Sequence, residues 1–156
     1  MSTRSKSSGI RNYYFEEKNK SKYNENDLEK SCKELDISGA YDISEYVSYI
    51  VNNDNKIKAF SLLYPIYSGY TLDKKDKSVK FLIMKIICAS KQKNGYGGEL
   101  LRNIEKNAKD KGFEYLIIDE PLENALSFYV DKNNYEYVEV GTVDGCKMFN
   151  VCWKKL

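Results

Sequence analysis

The run Gln92-Lys93-Asn94-Gly95-Tyr96-Gly97-Gly98 places three glycines in a polar turn that opens directly into an amphipathic stretch. A helix that starts there leaves its first N–H groups without intrahelical partners and carries partial positive charge. Glycines let the backbone approach a ligand closely and adopt unusual dihedrals. Together these properties make a seat for an anion, and a diphosphate suits it. Two nucleotide-binding patterns fail on the residues present. Leu100 stands where the dinucleotide fingerprint needs its third glycine, and Gly98 precedes Glu99 where the phosphate loop needs Lys and Ser/Thr. A turn that merely joins a strand to a helix would use the same residues, so the turn alone leaves both readings open.

Composition removes other chemistries. The chain has no histidine, which excludes His-based nucleophile triads, His acid–base work and most zinc sites, and no metal is expected. Cys32, Cys88, Cys146 and Cys152 lie far apart without a Cys-x-x-Cys. They read as free thiols of a reducing, cytoplasmic setting. Cys88 falls in an apolar strand and reads as core. Cys146 and Cys152 share a strand face at about 20 Å, too far for a disulfide. Net charge is +2, and the basic excess sits in the first 22 residues. That is the pattern of a flexible tail (residues 1–10), not of a nucleic-acid-binding face. No apolar run is long enough to span a membrane, and the start carries neither a secretory signal nor a Met-Gly lipidation pattern.

The elements that would position the turn are those of a single domain over residues 11–156. Tyr13 to Phe15 reads as a first strand, and Asn26 or Asp27 as the cap of a helix to about Leu35. Ser38-Gly39 breaks that helix. Tyr46, Val47, Ile50 and Val51 suggest a second helix over Ser44 to Asn53. Strands are expected at Ile57 to Tyr64, more weakly at Ile66 to Leu72, and most strongly at Val79 to Ala89, which is apolar enough to be buried on both faces. Asp73 to Ser78 is a charged turn. After the glycine turn, Leu100, Leu101, Ile104 and Ala108 line a helix from Gly97 to Lys111, stopped by Gly112. Phe113 to Ile118 is a strand. Asp119-Glu120-Pro121 opens a helix to about Lys132, ended by Asn133-Asn134. Tyr135 to Val140 and Cys146 to Trp153 are the last strands. The sum is a mixed α/β sheet.

Gln92-Lys93-Asn94-Gly95-Tyr96-Gly97 resembles the Gln/Arg-x-x-Gly-x-Gly/Ala signature of the GNAT acetyltransferases, which follows the fourth strand and opens the third helix. Ile86-Ile87-Cys88-Ala89 is similar to that family's apolar lead-in. Asn124-Ala125-Leu126-Ser127-Phe128-Tyr129, then Asn134-Tyr135, is similar to its later helix. The likeness is good from Val79 to Leu156 and rests on element order before that. It implies a mostly antiparallel twisted sheet of about seven strands flanked by about four helices, splayed between strands 4 and 5.

The resemblance also implies a function: transfer of the acetyl group of acetyl-CoA to a primary amine, by direct attack through a tetrahedral intermediate. Amides of Lys93 through Gly98, with Gln92, would hold the diphosphate. The main chain of Lys85, Ile86 and Ile87 would pair with the pantetheine arm, and the Ile87 N–H would polarise the thioester carbonyl. Asn124 and Phe128 would contact the coenzyme. A lysine-like amine must shed its proton, at a cost of about 4.6 kcal/mol at neutral pH. Strand 4 carries no acid, so Asp119 is the first choice of base, with Glu120 or an ordered water as alternatives. Tyr129 matches the family's proton donor when counted from Ala125. Counted back from Asn134-Tyr135 the helix is one residue long, and Val130 takes that place. The family's acceptor cleft would be rimmed by Ile37 to Asp42 and Gly141 to Gly145, where Asp36, Asp42 and Asp144 would favour a cationic amine, small or on a protein. Monomer and homodimer are both open. The alternative is a non-catalytic coenzyme-binding or interaction module on the same fold.

Overall fold

In this computed structural model, residues 10–33, 35–67, 79–89 and 95–156 are described. Gln92, Lys93 and Asn94 lie outside them, as do the charged turn and most of the weaker strand expected at Ile66 to Leu72. Among the described residues, seven strands form a sheet in the order β1-β2-β3-β4-β5-β7-β6. They are β1 (Arg11–Glu17), β2 (Tyr46–Asn52), β3 (Ile57–Tyr67), β4 (Val79–Ala89), β5 (Tyr115–Asp119), β6 (Glu136–Val143) and β7 (Cys146–Lys155). The sheet is mixed and mostly antiparallel, with β4 parallel to β5. The α-helices are α1 (Glu25–Ser31), α2 (Ser38–Ile43) and α3 (Tyr96–Asp110), and a π-helix spans Ser127–Lys132. The chain divides into two compact units, residues 1–64 with 86–104, and residues 65–85 with 105–156.

In the first unit, β1 pairs with β2 along its whole length, from Arg11↔Asn52 to Glu17↔Tyr46. The helix expected over Ser44 to Asn53 is instead the strand β2. Val47 and Val51 fit a helical stripe, but alternation decides. Tyr49 and Ile50 point to opposite faces and are both buried, which a β-branched and aromatic run tolerates only in a central strand. The second helix falls earlier, where Ser38-Gly39 suggested a break. Asn24 caps α1 and exchanges bonds with Asp27 in a reciprocal box. Leu28, Cys32 and Ile37 pack with Val47, Tyr49, Val51, Phe60 and Leu62, and Ile86 and Cys88 join that core.

One expectation about the cysteines fails. Cys32, at the end of α1, and Cys88, on β4, form a disulfide with Cα atoms 6.3 Å apart. Helix packing brings them together across a separation of 56 residues, which no local spacing reveals. Cys146 and Cys152 are free thiols.

In the second unit, β4 pairs with β5 from Phe81↔Tyr115 to Met84↔Ile118, while β4 itself runs on to Ala89. Asp144 and Gly145 both have positive φ, 49° and 81°, the two-residue turn that matches the twist of β6 and β7. The helix expected to open at Asp119-Glu120-Pro121 does not. Glu120 has φ 48° and its N–H donates to the Asn150 carbonyl at 3.0 Å, so the chain turns aside there. A short 3-10 turn, Glu123–Ala125, leads into the π-helix. Asn134, at φ 62°, ends it as expected. α3 meets its expected limits within a residue. Gly112 at φ 95° and the Phe113 N–H on the Ala108 carbonyl at 3.0 Å close it.

Candidate active site

Three features of the first unit bear on the glycine turn. Gly95 sits at φ 72° with no atom of the described residues within 4 Å of where a Cβ would be. This left-handed conformation suits glycine, and the described residues leave the space beside it open. The first intrahelical bond of α3 runs from the Glu99 N–H to the Gly95 carbonyl at 3.1 Å, so the amides of Tyr96, Gly97 and Gly98 belong to the unpaired first turn. A Cβ on Gly98 would lie 3.2 Å from the Arg102 guanidinium, which sets a cation one turn above the helix start. Small residues, open space and positive potential fit a diphosphate. On β4, the Ile86 carbonyl is turned toward β3, where it accepts the Ser61 hydroxyl at 2.7 Å.

Residues that sequence reasoning passed over hold this helix start in place. Tyr96 is buried, and Asn52 Nδ2 donates to its hydroxyl at 3.0 Å. The Arg11 guanidinium lies 4.3 Å above the Tyr96 ring and is ion-paired with Glu99. Tyr13 donates to the same Glu99 carboxylate at 3.1 Å. Arg11 and Tyr13 alternate on one face of β1 opposite Asn52 and Ile50. Alternation was the only available signal, and it says nothing of α3.

The second unit holds the other candidates. Asp119 ends β5 and accepts Lys85 Nζ at 2.9 Å, with both side chains 27% exposed. Tyr129 is only 4% exposed. Its ring packs edge-on against Phe128 at 5.2 Å and Tyr135 at 6.1 Å. Burial, and then the neighbouring Cys152, push its phenol well above the usual range, so it keeps its proton at neutral pH. Burial also raises the Cys152 thiol to about 11. Val130 is only half-buried. Tyr129 and Val130 both lie in the π-helix, whose wider turn accommodates one more residue than an α-helical turn, and of the two Tyr129 is the buried one. Its end is tied by Asn133 Nδ2 on the Phe128 carbonyl at 2.7 Å and the Tyr135 N–H on the Tyr129 carbonyl at 3.0 Å. Asn124 is exposed.

Of the expected rim, Ile37 to Asp42 lies mostly in α2 and Gly141 to Val143 in β6, so neither is a free loop. The Asp36 carboxylate accepts the Ser38 N–H and hydroxyl, which lower its pKa, and Asp144 pairs with Lys80 at 2.5 Å. Among the described residues, no group of His, Cys, Asp or Glu is placed to hold a metal, and no helix is long and apolar enough to cross a membrane.

The family model described as "Acetyltransferase (GNAT) family" matches residues 10–135. The chain belongs to this family. Solved GNAT structures share its fold. A Lactobacillus plantarum protein described as a candidate N-acetyltransferase matches at TM-score 0.60 and 16% identity, over 94% of this chain and 99% of that one. An agmatine N-acetyltransferase matches at TM-score 0.62 and 10% identity, over 93% and 100%. AtaTR bound with AcCoA matches at TM-score 0.57 and 12% identity, over 94% of each chain. A comparison with curated proteins found no match.

Proposed function

We propose that the chain is a single catalytic domain over residues 11–156 that transfers an acetyl group from acetyl-CoA to a primary amine. The observation that carries this reading is the left-handed Gly95, open among the described residues, leading into a first turn of α3 whose first intrahelical bond is made only by Glu99. The AcCoA-bound fold neighbour and the agmatine N-acetyltransferase support the coenzyme and the amine class. Acetyl-CoA supplies the activated acetyl group as its thioester.

The chain's own residues do the rest. Amides of residues 93–98, with Gln92, hold the diphosphate against the positive end of α3. Because the Ile86 carbonyl turns toward β3, alternation along the strand directs the main chain of Lys85 and Ile87 to the other edge of β4. There it pairs with the pantetheine arm, and the Ile87 N–H faces the carbonyl oxygen where negative charge develops. Tyr129, protonated and buried, gives its proton to the departing thiolate. Asp119 takes the amine proton directly or through water. Phe128 and Asn124 are the remaining coenzyme contacts in this reading.

Calorimetric titration with acetyl-CoA, followed by an acceptor screen that detects released thiol, tests it. Binding below millimolar and thiol release with at least one amine are expected; no binding at millimolar coenzyme would end the proposal. One observation favours a second reading, a coenzyme-binding module without turnover: the base candidate Asp119 already has Lys85 at 2.9 Å. Coenzyme binding without thiol release across the screen would select it.

A further inference from the structure

A carboxylate at the start of α3 is a puzzle for a helix end that receives a diphosphate. Glu99 lies in the first turn, one residue past Gly98. Acids there suit an isolated helix, but a negative charge this close to an anion seat repels the ligand. The first unit resolves the conflict with Arg11, which reaches from β1, ion-pairs with Glu99 and lies over the Tyr96 ring at 4.3 Å. Tyr13 donates to the same carboxylate at 3.1 Å. The Glu99 and Arg11 side chains are 28% and 22% exposed, sheltered enough for their charges to act at short range.

We propose that Arg11 is a positioning residue for the coenzyme's diphosphate: it neutralises Glu99 and locks the first turn of α3 through Tyr96. The inference rests on the reading of the glycine turn as the diphosphate seat. The neutralised charge is the larger part of its action and the Tyr96 contact the smaller, so the loss of Arg11 is largely repaired by removing the charge it compensates. That separates it from a residue that only supports the fold, and from one that grips phosphate directly.

The test is a double-variant cycle read by calorimetry with two probes, acetyl-CoA and S-acetylpantetheine, which lacks the diphosphate. Arg11→Met should weaken acetyl-CoA binding roughly tenfold and leave S-acetylpantetheine binding unchanged. Arg11→Lys should restore most of the loss. Arg11→Met with Glu99→Gln should return acetyl-CoA affinity to within about twofold of the original. Equal weakening of both probes by Arg11→Met, or a double variant as weak as Arg11→Met alone, would overturn the proposal. Thermal melting accompanies each variant. If Arg11→Met does not fold, Glu99→Gln alone decides: acetyl-CoA affinity held or improved supports the proposal, and a tenfold loss defeats it. Failure of the unaltered protein to bind acetyl-CoA would instead strike the diphosphate reading.

Discussion

The two units fix their candidate residues by different means. In the first, the start of α3 is held by charge and hydrogen bonds from β1 and β2, through Arg11, Tyr13 and Asn52, and a disulfide joins α1 to β4. In the second, Tyr129 is placed by apolar burial, aromatic neighbours and a π-helical turn. The contrast fits the tasks proposed above for the two regions. A seat for a diphosphate must keep backbone N–H groups pointing outward, so side chains have to hold the helix from the side. A proton donor needs a dry pocket that keeps the proton on the phenol, and packing supplies that.

Breaking the covalent link should have the largest effect. A loop of this length, 56 residues, is worth about 4 kcal/mol on chain-entropy grounds. Reduction with a dithiol, or Cys32→Ser with Cys88→Ser, should lower the melting temperature strongly. An unchanged melting curve would show that apolar packing alone holds the first unit. Next comes Tyr129→Phe, which keeps the ring and removes the proton. The turnover rate should fall roughly 100-fold while acetyl-CoA affinity stays constant, and equal losses in both would mean the ring matters only for packing.

Gly95→Ala sharpens the other side of the comparison. It forces a side chain into φ 72° at a cost of about 1 kcal/mol, so acetyl-CoA binding should weaken by roughly fivefold with turnover at saturation little changed. The smallest effect is in pH. The Tyr129 phenol and the Cys152 thiol both have raised values in the fold, so their neutral forms are the favoured ones. Their stabilisation is complete below the ordinary values, 9.0 for the thiol and 10.0 for the phenol. It drains as pH climbs through the folded values, about 11 for Cys152. The urea midpoint should decline from pH 9 upward, and Cys152→Ala should make that decline shallower. A variant as steep as the original would remove the thiol from the account.

Much of this was legible residue by residue. β4 matches its expected limits, Val79–Ala89, because a continuous apolar run leaves few alternatives. α3 was legible because Leu100, Leu101, Ile104 and Ala108 repeat with helical period, and all are fully buried. β2 was misread because Val47 and Val51 satisfy both periods when a strand is buried on both faces. Asp119-Glu120-Pro121 carries the composition of a helix start, yet the Glu120 N–H bonds to the Asn150 carbonyl of β7, and that tertiary bond overrides local preference.

The sequence by itself determined the glycine turn, its strand and helix, the absence of histidine, and hence the family and the kind of chemistry open to it. These are local properties: glycine spacing, apolar period and residue type. The tertiary structure alone decided that Cys32 meets Cys88, that Arg11 answers Glu99 across 88 residues of chain, and that Tyr129 is the residue turned inward. Each depends on which strands and helices become neighbours, which no short stretch of chain encodes.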